Sequence, residues 1–221
     1  MKVVIAGGHG KIALILEKLL TERGHSVAGL VRNPAYADDL AEAGAETIVL
    51  DLEKATVSEL TEHLAGADAV VFAAGAGAGS GSARKETVDR DAAVLLADAA
   101  EAAGVGRYLL VSAMGDHLRA DPADFEQEFG IYMRAKAAAE DAIRARSNPR
   151  ATIVRPGLLN NNPGTGRVDL GDRTGTGPIP RADVAAVLLA LLEDPRLDGR
   201  TVEVIGGPTP IVDALDTLAG A

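Results

Sequence analysis

Short apolar runs alternate along the chain with longer stretches whose apolar positions recur every three or four residues. Val3–Ala6, Ser26–Val31, Thr47–Leu50, Ala69–Ala73, Tyr108–Ser112 and Thr152–Val154 are apolar at most positions, as strands covered on both faces must be. Ile12–Arg23, Ala35–Ala43, Val57–Leu64, Ala83–Ala103 and Phe125–Arg146 carry a helical period and many Ala, Leu, Glu and Lys residues, which predicts helices. Regular alternation of the two predicts an α/β fold: a Rossmann-type, doubly wound parallel sheet with helices on both faces.

The last third breaks the pattern. Leu158–Pro180 is rich in Gly, Pro, Asn and Thr without a clear period, which predicts a long irregular segment. A helix over Ala182–Leu192, a strand over Val202–Ile205 and a short helix from Pro210 are expected after it. The length of 221 residues predicts one domain, 1–221, ending in a small C-terminal substrate-side segment. Loops near 113–130 and 158–180 are expected to face the substrate. The run Gly75–Gly81 reads as a flexible loop after the fourth strand.

Composition narrows the function. With no cysteine, disulfides and thiolate chemistry are excluded. A net charge of -10 and 3% aromatic residues argue against a nucleic-acid partner, which needs a basic face or a stacking platform. No signal-peptide pattern opens the chain, and its longest apolar run, Ala185–Leu192, is too short for a membrane span, so a cytoplasmic, soluble protein is expected. Four histidines, none spaced as a metal pair, predict no metal.

The strongest motif is local. The first strand runs into Gly7-Gly8-His9-Gly10-Lys11-Ile12-Ala13, where a helix begins. Gly7 permits a positive φ, Gly10 permits close approach of a pyrophosphate, and Ala13 lets the helix pack on the strand. Amide hydrogens and the positive helix end then face the phosphates, with Gly7, His9, Gly10, Lys11 and Ile12 as cofactor contacts. The end of the second strand selects the dinucleotide. An NAD site offers a carboxylate there, whereas this chain has Arg32-Asn33. A guanidinium suits a 2′-phosphate, so NADP is expected over NAD, although a solvated surface arginine is the alternative reading. Asp51-Leu52 follows the third strand and can meet adenine, or Asp51 can be a turn residue. The small residues Ala73-Ala74-Gly75 let a ribose pass close to the backbone.

Together with Ser112, the pair Tyr132 and Lys136, and Arg155-Pro156-Gly157, these motifs resemble the short-chain dehydrogenase/reductase superfamily. The likeness covers nearly the whole chain. It is greatest to the atypical or extended branch of small NAD(P)H-binding epimerases and reductases, in which Thr87-Val88-Asp89 also fits. The resemblance implies Ser112, Tyr132 and Lys136 as the catalytic set, with Asp89 standing where the family usually has asparagine. It implies that Pro156, Gly157 and Leu158 meet the nicotinamide carboxamide through backbone groups, and that Arg155 is structural. Tyr132 and Lys136 are four apart and share a helix face, where the ammonium would favour the phenolate of a weakly acidic phenol. Met114, Gly115 and His117 are expected across the substrate site from the irregular segment, with Arg181 and Asp183 opening the next helix.

The function implied is an NADP-dependent oxidoreductase or epimerase acting on a small carbonyl or alcohol. Two other classes share the same motifs: a non-catalytic NADP-binding redox sensor, and a flavin or quinone reductase that needs no tyrosine proton relay.

Overall fold

In the computed structural model, which describes residues 1–77, 81–115 and 128–220, every apolar run of the first two thirds becomes a strand. These are β1 (Lys2–Ala6), β2 (Ser26–Val31), β3 (Glu46–Val49), β4 (Ala69–Phe72), β5 (Arg107–Val111) and β6 (Arg150–Pro156). The last third adds β7 (Leu158–Asn160), β8 (Arg167–Gly171), β9 (Pro178–Pro180), β10 (Thr201–Gly206) and β11 (Thr209–Pro210). Among the described residues the main sheet runs β3-β2-β1-β4-β5-β6-β10-β8-β11. It is parallel from β3 to β10, while β8 pairs antiparallel with both β10 and β11. Strand order reverses between β1 and β4. In open α/β sheets the crevice beyond the carboxyl ends at such a point receives the ligand.

The helices are α1 (Lys11–Glu22), α2 (Ala37–Glu42), α3 (Val57–His63), α4 (Ser82–Arg84), α5 (Ala92–Ala102), α6 (Glu128–Arg144), α7 (Arg181–Glu193) and α8 (Ile211–Ala219). Alternation along β1 separates the two layers, because successive side chains point to opposite faces. Val3 and Ile5 pack with Leu16 and Leu20 of α1 and the apolar residues of α7 and α8. Val4 and Ala6 pack with Leu60 of α3, Leu96 of α5 and Ile143 of α6. Leu16, Leu20, Leu60 and Leu96 are fully buried, and each such leucine contributes about 1.5–3 kcal/mol. Among the described residues no helix is long and apolar enough to cross a membrane.

Three expectations need correction. Leu158–Pro180 is not irregular throughout: β8 carries the alternation buried Val168, exposed Asp169, half-buried Leu170, and pairs with β10. Its period of two is hidden in a stretch dominated by Gly, Pro and Asn. The helix expected over Ala83–Ala103 is interrupted by a π-helical stretch, Lys85–Asp91, which turns Lys85, Val88 and Asp89 inward. No Gly or Pro marks the change. The helix expected over Ala35–Ala43 opens as a 3-10 turn, Pro34–Tyr36, because the Asn33 side chain accepts from the Ala35 N–H at 3.0 Å and the proline favours an initiating turn. His117 and the first residues of the helix expected from Phe125 lie outside the described residues.

Candidate active site and cofactor cleft

Two clefts meet at the carboxyl ends of β1 and β4. The first, about 580 Å3, is lined by the glycine turn, the ends of β2 and β3, and Arg84 and Val88 from beyond β4. Gly7 has φ +84°, and the N–H groups of Gly7 and Gly8 both donate to the Leu30 carbonyl at 3.1 and 3.0 Å. A Cβ on Gly7 would stand 2.6 Å from Ala74 Cα, and one on Gly8 would stand 2.8 Å from Gly29 Cα. The turn is thus pressed between β2 and the end of β4, and only glycine fits. Gly10 precedes α1, whose first turn has neither a capping side chain nor an acidic residue. Those amide hydrogens and the helix dipole make a cradle for an anion, so the residues present fit a dinucleotide pyrophosphate.

The side chains around this cradle were only partly foreseen. His9 stacks on Tyr36, with ring centroids 3.6 Å apart, and its Nε2 lies 2.6 Å from Asp39 Oδ2. Arg32 lines the cleft and donates through Nη1 to Glu53 Oε2 at 3.1 Å. The same Oε2 accepts from Arg84 Nη2 at 2.9 Å, while Thr87 donates to Oε1 at 2.7 Å. Hydrogen bonds from Arg84 and then Thr87 hold the Glu53 carboxyl below the usual carboxylate range. Glu53 and Arg84 were missed from sequence, although Glu53 directly follows Asp51-Leu52. Asp51 and Leu52 both line the cleft, and Asp51 also forms a turn, accepting the Glu53 N–H at 3.2 Å.

The second cleft, about 710 Å3, shares Gly10, Ala73, Ala74 and Gly75 with the first, so the two form a continuous trough. Lys11, Ile12, Asp89, Ser112, Tyr132 and Lys136 line it, joined by Lys85, Leu159 and Arg181. Ser112 follows β5, and Tyr132 and Lys136 stand one turn apart on α6. Lys136 is 3% exposed; its Nζ donates to the Val111 carbonyl at 3.2 Å and lies 3.3 Å from Asp89 Oδ1. That last contact is an ion pair without a directed hydrogen bond, since Oδ1 has no hydrogen-bond partner among the described residues. Asp89 Oδ2 accepts the Ala76 N–H at 3.2 Å and so ties down the loop after β4. The ammonium groups of Lys85 and Lys136 flank the Tyr132 ring, 5.4 and 5.8 Å from its centroid.

Behind Ser112 lies a buried network. Its hydroxyl donates to Glu140 Oε1. Glu140 is fully buried and also accepts from Arg155 Nε at 3.1 Å and Nη2 at 2.6 Å, and from Arg144 Nη2 at 2.9 Å. Tyr132, Lys136, Glu140 and Arg144 make one stripe on α6 with a spacing of four, a signal that the sequence carried beyond the first pair. With its hydroxyl hydrogen directed to Glu140, Ser112 offers the cleft an acceptor oxygen.

The turn after β6 departs from expectation. Pro156, Gly157 and Leu158 do not line the second cleft; Leu159 does. The Gly157 N–H donates to the Val204 carbonyl and the Leu158 N–H to the Gly177 carbonyl, both at 2.9 Å, while the Pro156 carbonyl accepts the Met114 N–H at 3.1 Å. These bonds tie the turn to β10, to Gly177 and to Met114. Asp183 accepts from the Thr165 and Gly166 N–H groups and stabilises their loop, and Arg181 donates to Asn161 Oδ1 at 2.9 Å. Met114 and Gly115 lie outside the lining of the second cleft.

A phosphate cradle joined to a cleft of titratable side chains on a doubly wound sheet defines a nicotinamide-dinucleotide-binding protein of the oxidoreductase or epimerase type. The family model described as NAD(P)H-binding matches residues 7–195. YhfK of Bacillus subtilis, described as an uncharacterized sugar epimerase, is 35% identical over 219 residues, covering 99% of this chain and 100% of that protein. A Bacillus halodurans structure, described as an NAD-dependent epimerase/dehydratase, is 35% identical with a TM-score of 0.89, covering 99% of this chain and 100% of that one. The oxidoreductase ylbE of Lactococcus lactis is 26% identical with a TM-score of 0.85, covering 100% and 98%. The chain belongs to the NAD(P)H-binding family, an atypical branch of the short-chain dehydrogenase/reductase type, as the resemblance implied.

Proposed function

We propose that the protein is an NADP-dependent oxidoreductase or epimerase that acts on a small alcohol or carbonyl compound in a cytoplasmic setting. The observation that carries this reading is the convergence of Ser112, Tyr132, Lys136 and Asp89 in a cleft continuous with the phosphate cradle. The bound dinucleotide supplies or takes the hydride. The chain's residues do the rest. Amides at the start of α1 hold the phosphates, and Arg32 presents a planar pair of donors to a 2′-phosphate. The Tyr132 hydroxyl exchanges the proton of the substrate oxygen. Lys136, fixed by the Val111 carbonyl and Asp89, keeps a positive charge beside that phenol. Ser112, whose hydroxyl hydrogen is directed to Glu140, accepts a hydrogen bond from a substrate hydroxyl. A hydroxyl-bearing substrate agrees with the description of YhfK as a sugar epimerase.

A flavin or quinone reductase is the second reading, favoured by the commitment of the Ser112 proton, which leaves the site one fewer donor for a carbonyl. The test is a screen for NADPH oxidation with carbonyl, flavin and quinone acceptors, comparing wild type with Tyr132→Phe. Loss of ~100-fold or more in turnover on a carbonyl supports the proton relay. Unchanged turnover in the variant overturns it in favour of the second reading.

A further inference from the structure

Two arginines, Arg32 after β2 and Arg84 in α4, come from elements far apart in sequence and reach one carboxylate oxygen, Oε2 of Glu53, at 3.1 and 2.9 Å. Stability does not explain the cluster. Its members are open to solvent, with side chains 57% exposed for Arg32, 37% for Arg84 and 22% for Glu53, and exposed pairs contribute about 0–1 kcal/mol. Nor does charge balance at the shared oxygen, where two guanidinium groups meet one carboxylate. All three residues line the first cleft, beside Leu50 and Leu52. Asp51, the other acid of that wall, is engaged with the Glu53 N–H and with Lys54, whose Nζ lies 3.3 Å from Asp51 Oδ2. The position is the end of β2, where this fold distinguishes a ribose hydroxyl from a ribose phosphate. Two forked cations converging on one point suit a dianionic phosphate, which offers three acceptor oxygens.

We propose that Arg84 is a second specificity-determining residue for the 2′-phosphate of NADP, and that Glu53 occupies the phosphate position on both guanidinium groups until the dinucleotide displaces it. This rests on the NADP reading above and adds a residue that the position after β2 alone does not supply. Glu53 stands in the turn after β3, so its side chain can leave the cluster without moving a strand. The Thr87 hydroxyl, now donating to Glu53, would then be available to the phosphate as well.

Calorimetric titration of wild type, Arg32→Met, Arg84→Met and Glu53→Gln with NADPH and NADH tests this, and adenosine 2′,5′-bisphosphate and 5′-AMP isolate the phosphate from the nicotinamide. Arg84→Met is expected to weaken NADPH and the bisphosphate by ~10-fold or more while changing NADH and 5′-AMP by less than about twofold. Glu53→Gln is expected to tighten NADPH by removing the competing carboxylate. If Arg32→Met lowers NADPH affinity and Arg84→Met does not, the role of Arg84 is overturned while the NADP reading stands. If wild type binds NADH as tightly as NADPH and Arg32→Met changes neither, both fall. Weakened NADH binding in Glu53→Gln would make Glu53 a ribose acceptor and overturn its part as a phosphate stand-in.

Discussion

Glu17 is a carboxylic acid with no solvent and no hydrogen-bond partner among the described residues. It lies in α1 with its Oε1 against the backbone of β2 and the glycine turn: a Cβ built on Gly29 would be 2.6 Å from it, and one on Gly8 would be 3.0 Å away. Burial pushes its carboxyl up to about 8, from an ordinary value of 4.5. Between those values the folded chain keeps a proton that the unfolded chain has released. Stability therefore falls as pH rises across that window and levels off above the folded value, at a cost of about 1.4 kcal/mol per pH unit. From about pH 5.5 to about pH 7.5 the loss from this one group is roughly 3 kcal/mol. Glu17→Gln replaces the neutral acid with a near-isosteric neutral amide and removes the titration. Urea unfolding of both proteins at these two pH values should show the stability difference shifting toward the variant by that amount. The charge that forms above the folded value also lies under the phosphate cradle, so NADPH affinity should weaken there in wild type and not in the variant. Parallel stability profiles for the two proteins across the window would refute the assignment of a buried, neutral Glu17.

Two further substitutions probe the frame of the site. Glu140→Ala removes the carboxylate on which Ser112, Arg144 and Arg155 converge, and should cost about 3–5 kcal/mol in chemical denaturation. Thr56→Ala breaks the capping box at α3, in which Thr56 Oγ1 accepts the Glu59 N–H and Glu59 accepts the Thr56 N–H; a loss of about 1 kcal/mol is expected in the same assay, with cofactor affinity unchanged.

What the sequence made legible was local. The glycine turn works through residues a few positions apart, so spacing alone reveals it. The central strands, β1 and β4 above all, stood out because a parallel sheet buried on both faces leaves few polar positions to blur the run. Arg32, Asp51 and Ala73–Gly75 could be found because each follows a strand whose end is recognisable. What escaped depends on tertiary paths. Glu53 and Arg84 are 31 positions apart, and only the course of the segment after β4 brings them together. Glu140 reads as one more charged residue of an Ala-rich helix until β5 and β6 close over it. Strand β8 is five residues long between glycine-rich turns, too short for composition to outweigh its neighbours. Pro156–Leu158 lie off the second cleft for a related reason: residue type cannot show that the Gly157 N–H is engaged by β10 and the Leu158 N–H by Gly177.

The most direct test of the account is calorimetric titration of wild type and Gly7→Ala with NADPH. The added methyl would sit 2.6 Å from Ala74 Cα at a φ of +84°, so the cradle cannot form around it. Saturable binding at about one site per chain in wild type, lost in a variant that still folds, is the predicted result. No heat in wild type with either NADPH or NADH, or unchanged binding in Gly7→Ala, would contradict it.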